Sequence, residues 1–376
     1  MIGFLGDHLR VTLNVAAGDA SKTIQLFIKR MPTENPDKVD FIKENNFFKK
    51  EALGSKLLNE LQTDNDSTPW CVKPLISTDT MIAMPDVRPL GYSAKCPRET
   101  LDLEHLLLTA ASVARFHAAS VNYETNRILQ FNQPWKFTQE YPEFLVDLQF
   151  GPSKDGRFMR VCSKLTTNLL KTFSKKYNHI LDLESELYNL FLLACGSLRE
   201  YEDTLNVLNH KDLWIANIMF KYEKGEPVNA LVVDYQCLQS GPPAFDLMIL
   251  LYCCTTRSFR ERHEIAVLKY YFSVFLENLE EGSKQRLMKL GYDEKEFIRW
   301  CEIARMYGSI RMVGLAPLIL MDPVSAQQIF NEPNTFKEVF LTDRTKPVLE
   351  YCRQNPEYLE RVLEAFEEFA ERYVDK

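Results

Sequence analysis

Two stretches of alternating apolar and polar residues open the chain. Residues 10–16 read Arg-Val-Thr-Leu-Asn-Val-Ala. Residues 22–30 place Ile24, Leu26 and Ile28 on one face and Thr23, Gln25, Phe27 and Lys29 on the other. Period-two alternation marks a half-buried strand, and Gly18-Asp19-Ala20-Ser21 between the two is a turn signal, so a β-hairpin is predicted. Pro32 and Pro36 end it. From 38 to 62 the period changes: Phe41, Phe47, Phe48, Ala52, Leu57, Leu58 and Leu61 recur at helical spacing. Two further strands are expected at 69–76 and 80–84, and the Pro- and Gly-bearing stretch 85–92 ends the sheet and reads as a hinge. From Leu101 onward the pattern is helical. Leu103, Leu106, Leu107, Ala110, Ala114 and His117 form one stripe, and helices are expected near 156–176, 181–201, 260–281 and 294–313, with one or two more over 345–375. A small antiparallel sheet followed by a large helical region gives an α+β, two-lobe organisation, with residues 1–92 as the first lobe and hinge and 93–376 as the second.

Composition narrows the class. The 376 residues are 45% hydrophobic and 12% aromatic, which is a globular rather than a disordered balance. The net charge of −7 argues against a nucleic-acid or acidic-membrane partner. Lys175-Lys176 and Arg257, Arg260 and Arg262 read as solvated helix faces. No apolar run reaches the ~18 residues of a membrane span, and the N-terminus lacks the charged and apolar regions of a signal peptide. The nine cysteines are odd in number and scattered, without C-x-x-C spacing, so neither a disulfide framework nor a zinc site is indicated. A cytoplasmic protein with no membrane and no obligate protein partner is expected.

The chemistry concentrates at 205–247. An apolar run, Leu205-Asn206-Val207-Leu208, leads into His210-Lys211-Asp212, with Asn217 five residues past the aspartate. Two short apolar runs follow, and the second ends in Asp234-Tyr235-Gln236. The order H-x-D-x4-N, strand, D-[YF]-[GQ] is that of a phosphotransferase loop. Phosphoryl transfer needs a carboxylate beside the attacking hydroxyl and oxygen ligands for a magnesium ion that bridges the phosphates. His210 and Asp212 are the candidate catalytic residues, and Asn217 and Asp234 the candidate metal ligands. A lone Asp or Asn in a loop is usually a turn former; the ordered set is what carries the reading.

The first lobe offers partners. Lys29 sits near the end of the second strand, where a kinase lysine holds the phosphates of ATP. Taken alone it is an ordinary exposed strand lysine. Glu44 and Glu51 both lie on the expected helix, and Glu51 is preferred as the residue that orients Lys29. The hinge backbone around Asp86 could receive adenine. His117 reads as a satisfied core histidine, and Asp246, before an apolar run, as a helix cap or a brace for the loop.

These residues resemble the ecdysteroid kinase-like small-molecule kinases, relatives of choline kinases and aminoglycoside phosphotransferases within the protein-kinase-like fold. The resemblance runs from Gly3 to about residue 320. It is strongest at 207–220, Val233-Asp234-Tyr235-Gln236 and Ala244-Phe245-Asp246-Leu247. It implies ATP and Mg²⁺ as cofactors and phosphorylation of a small, apolar alcohol such as a steroid hormone or xenobiotic metabolite. It further implies Asp212 as base, Asn217 and Asp234 on Mg²⁺, Lys29 on phosphate, and Gly3 and Gly6 as remnants of the phosphate loop. Three departures stand out: Pro85-Asp86-Val87 where the family usually has Glu-Asp-Leu, His210-Lys211-Asp212 where it often has His-Gly-Asp, and a start at Met1 that leaves no room for the strand before the glycine loop. The expectation is therefore a first lobe missing its first strand, with weak ATP binding, and the alternative function is an impaired pseudokinase or small-molecule-binding protein. A protein kinase is disfavoured because the short gap from Asp234 to Asp246 leaves no activation loop.

Overall fold

The hairpin forms as the alternation demands. Strands β1 (Asp7–Ala17) and β2 (Ala20–Arg30) pair antiparallel along their whole length, with His8 opposite Lys29 and Val11 opposite Leu26. The computed structural model describes residues 5–17, 20–62, 68–145 and 156–375, so Gly3 and the expected Gly18-Asp19 turn lie outside the described residues. Strands β3 (Ile76–Ser77) and β4 (Met81–Pro85) complete a sheet of order β1-β2-β4-β3, in which Ile82 lies beside Lys29. Among the described residues β1 is an edge strand, and its Leu9, Leu13 and Val15 are exposed.

Two expectations for this lobe need correction. The single helix over 38–62 is two, α1 (Pro36–Glu44) and α2 (Phe47–Leu61). Asn46 adopts a left-handed φ of 54° and Asn45 turns its amide back to the Phe41 carbonyl; asparagine tolerates that conformation and competes for backbone partners, so the helix breaks there. The strand expected at 69–76 shrinks to Ile76–Ser77. Pro69 and Pro74 lack the N–H a ladder needs. The stretch between them instead runs beside the second lobe, where Trp70 accepts a hydrogen bond from the Val232 amide at 2.9 Å.

The chain crosses between lobes at 86–91, through a short turn closed by Gly91 at φ 88°. Strand β5 (Tyr92–Ala94) then pairs with the second lobe. Helix α3 (Leu103–Phe131) is capped by Asp102 and buries its alanine-rich stripe. It is followed by α4 (Phe137–Glu140), α5 (Arg157–Phe173) and α6 (Leu183–Ser197). Four further short strands, β6 (Val207–Asn209), β7 (Ile218–Glu223), β8 (Glu226–Val232) and β9 (Gln239–Gly241), together with β5 form two small antiparallel sheets, β5-β7-β8 and β6-β9, that frame the loop between β6 and β7.

Helix α7 (Ala244–Cys254) has every residue buried. Helices α8 (Arg257–Glu277), α9 (Glu281–Leu290) and α10 (Glu294–Ile319) follow, and α10 runs past the boundary expected at 313. The end of the chain contains α11 (Pro323–Asn331), α12 (Pro333–Lys337), a π turn (Glu338–Thr342), α13 (Thr345–Gln354) and α14 (Pro356–Tyr373). The sequence pattern did not anticipate the elements between 323 and 342. Their Phe336 and Phe340 pack on Phe41 of α1, with ring centroids 5.7 and 5.8 Å away, and so join the lobes. The architecture is a protein-kinase-like pair of lobes, α+β in class. No single helix among the described residues is long and apolar enough to cross a membrane.

Candidate active site

Strand β2 carries Lys29 into the cleft between the lobes. Far from being an exposed strand lysine, it is 4% exposed. Its Nζ donates to Glu51 Oε2 at 2.7 Å, to Asp234 Oδ1 at 2.7 Å and to Gln236 Oε1 at 3.1 Å. The structure thus brings Lys29 to Glu51, while Glu44 ends α1 on the surface. Gly6 lies against the lysine stem: a Cβ there would stand 2.9 Å from Lys29 Cγ. Burial works against the charge on Lys29, but Asp234 and Glu51 raise its pKa above the ordinary value. Burial pushes the Glu51 carboxyl above its ordinary value, the Lys29 charge opposes that rise and the Asp234 charge adds to it. Beside Lys29, burial and then the lysine charge lower His8 to about 4.

The loop after β6 is held from behind. Asp246, at the start of α7, accepts from the His210 amide at 2.6 Å and the Lys211 amide at 2.8 Å. Lys211 takes a left-handed φ of 67°. His210 is 1% exposed, its Nε2 lies 3.0 Å from the Val233 carbonyl, and its Nδ1 accepts from the Asp212 amide at 3.2 Å. Both ring nitrogens therefore serve the backbone, and the imidazole braces the loop from within. His117 is a satisfied core residue, bonded to Asp246 and Tyr271.

Asp212 is oriented by two side chains. Asn217 Nδ2 donates to its Oδ2 at 3.0 Å and to its backbone oxygen at 2.8 Å, and Arg311 of α10 donates to its Oδ1 at 2.9 Å. Burial raises the Asp212 pKa and the Arg311 charge opposes that rise. Since the amide nitrogen of Asn217 faces Asp212, its oxygen is left as the acceptor for other partners.

Two adjoining cavities meet at these groups. One is lined by Phe27, Val72, Met84, Val87, Met219 and Val233, with Lys29, Asn217 and Asp234 also on its wall. Asp86 is at this cavity too, but its carboxylate is taken by Arg88 at 2.5 Å and by Arg10 at 3.7 Å. The other cavity shares His8, Lys29, Asn217 and Asp234 and adds Asp212 and Arg311. Gln236 also lines it, and the rest of its wall is mainly apolar, chiefly Phe41, Phe47, Phe158, Leu315, Phe330 and Phe340.

A profile of the ecdysteroid kinase-like family matches residues 3–283. The chain belongs to that family. It is a small-molecule kinase, in keeping with the resemblance carried by the loop and by Lys29. Among solved structures, an ADP-bound aminoglycoside phosphotransferase is similar at 15% identity and a TM-score of 0.39, covering 95% of this chain and 94% of that one. A microcompartment-associated aminopropanol kinase is similar at 14% identity and a TM-score of 0.38, over 85% and 94%. A choline kinase from Streptococcus pneumoniae is similar at 12% identity and a TM-score of 0.35, over 77% and 89%. No curated protein matches the chain by sequence.

Sequence reasoning missed the role of Arg311 and, in the apolar wall, Phe41, Phe47, Phe330 and Phe340. Of the aromatics between 135 and 177, Phe158 lines this cavity, while Trp135 and Phe137 pack on Tyr123. The only local signal for Arg311 was an arginine within an apolar helical stripe, which has many explanations.

Proposed function

We propose that this kinase transfers the terminal phosphoryl group of ATP to a hydroxyl on a small, apolar alcohol of the steroid or xenobiotic-metabolite type. The observation that carries this reading is the meeting of the two cavities. Lys29, Asn217 and Asp234 line both, while Asp212 belongs to the one with apolar walls. The cavity with Phe27, Met84 and Val87 suits a nucleotide base, and Lys29 beside it suits the phosphates.

The donor set fits Mg²⁺. A carboxylate on Asp234 and an amide oxygen on Asn217 are hard oxygen ligands, few enough to leave positions for phosphate and water. Bound Mg²⁺-ATP supplies the phosphoryl group and much of the charge compensation. Asp212 accepts the proton of the acceptor hydroxyl as that oxygen attacks. Lys29, fixed by Glu51, holds the phosphates, and Gly6 allows the approach over its stem. His210 acts on the loop rather than on the reacting atoms. Asp86 contributes through its place at the nucleotide cavity, with its carboxylate spent on Arg88. The described cysteines are all free thiols, which suits a reducing compartment such as the cytoplasm.

The test is a screen of hydroxylated apolar compounds for ATP-dependent gain of one phosphoryl group, read by mass spectrometry. Wild type should modify a subset and Asp212→Asn none. Undiminished transfer by Asp212→Asn would remove Asp212 as the base.

A further inference from the structure

Arg311 is 6% exposed and sits where the apolar cavity meets Asp212. Its Nη2 donates to one carboxylate oxygen at 2.9 Å while Asn217 donates to the other at 3.0 Å. A carboxylate oxygen accepts about two donors. These bonds therefore fix the carboxylate plane and still leave each oxygen able to receive a hydroxyl proton.

The helix that carries Arg311 also builds the cavity. Arg311, Leu315, Leu318 and Ile319 all line it, at helical spacing i, i+4, i+7 and i+8, and so share one face of α10. The helix is seated at a fixed depth. A Cβ on Gly308 would lie 2.6 Å from the Met248 carbonyl carbon and oxygen, so α10 rests directly on the α7 backbone. Glycine is unfavourable inside a helix, and here the close approach requires it. Helix α7 in turn carries Asp246, which holds the His210 and Lys211 amides. The loop is gripped by α7 at its first two residues and by α10 at the third.

We infer that Arg311 is a positioning residue of the transfer site: it orients Asp212 towards the acceptor, and through α10 it ties the wall of the acceptor cavity to the orientation of the base. This rests on the proposed role of Asp212. In the step served, the hydroxyl proton passes to Asp212, the hydroxyl oxygen bonds to the terminal phosphorus, and the bond from that phosphorus to the ADP oxygen breaks with its electrons leaving on ADP.

The experiment compares Arg311→Ala, Arg311→Lys and Gly308→Ala with wild type in crystal structures, in ADP affinity by calorimetry, and in Mg²⁺-ATP turnover with water as acceptor. The expected result for Arg311→Ala is an Asp212 carboxylate that rotates or splits, ADP affinity within about twofold of wild type, and turnover down by about a hundredfold. Added guanidinium should restore part of that loss and Arg311→Lys should fall between. Gly308→Ala should displace α10 and lower turnover in the same way. Asp212 keeping its orientation in Arg311→Ala overturns the inference, and does so whether or not turnover is fast enough to time. A fall in ADP affinity equal to the fall in turnover overturns it too, since that is general damage to the fold. The two failures are separable. If Asp212→Asn loses turnover and Arg311→Ala does not, only the positioning role is lost; if Asp212→Asn turns over like wild type, the proposed function fails with it.

Discussion

His117 of α3 and Asp246 of α7 share a 3.1 Å hydrogen bond in the fully buried core behind the loop that follows β6. The same carboxylate takes the His210 and Lys211 amides, so a single buried charge ties two helices to the loop. Buried hydrogen bonds to a charged group are among the stronger ones, at roughly 1.5–3 kcal/mol each.

Asp246→Asn keeps the size but turns one acceptor oxygen into a donor facing an amide N–H. A stability loss of about 2–4 kcal/mol is expected from urea denaturation, with loss of transfer activity. A loss below about 0.5 kcal/mol would mean that the loop is held by something else.

Lys211 combines a left-handed backbone, φ 67°, with a buried side chain whose Nζ donates to Gln239 at 2.9 Å. A residue with a Cβ pays about 1 kcal/mol or more for that conformation and glycine does not. Replacing Lys211 by alanine keeps the strain and loses the bond, whereas Lys211→Gly loses the bond and relieves the strain. Lys211→Gly should therefore be more stable than Lys211→Ala by about 1 kcal/mol in chemical denaturation. Equal stability, or alanine the better, rules out backbone strain as the cause.

His8 predicts a pH dependence. Burial lowers it from 6.5 to about 4, so between those values the unfolded chain holds a proton that the folded chain does not. Stability then rises with pH across the window. The neutral imidazole costs nothing of this kind above 6.5, and the penalty grows as the pH falls towards 4. Thermal melting at pH 7 and pH 5 should show wild type losing more than His8→Asn on acidification. Parallel losses in the two proteins would show that His8 titrates normally.

Much of the site was legible because it is local. The run from Val207 to Asn217 is a strand, a tight loop and a turn in one continuous segment, and the spacing of His210, Asp212 and Asn217 is readable within it. Lys29 was legible by its place near a strand end. The choice of Glu51 over Glu44 was harder: both lie on a helical pattern, and only the break at Asn45-Asn46 sends one inward and the other to the surface. That break had a signal, two adjacent asparagines, which the apolar periodicity on either side outweighed.

The sequence by itself determined the α+β order of elements, the hairpin, and the identity and spacing of His210, Asp212, Asn217 and Asp234, because backbone periodicity and loop chemistry act over a few residues. Only the tertiary structure decided that Arg311, 99 residues away, reaches Asp212. It alone decided that Phe41, Phe158, Phe330 and Phe340 share one cavity wall, and that His210 turns both its nitrogens to the backbone. Those relations depend on how deeply α10 seats on α7 and how α1 meets the elements after 323. Such depths are set by side-chain volume at contacts distant in sequence, as at Gly308 and Met248, and no local pattern encodes them.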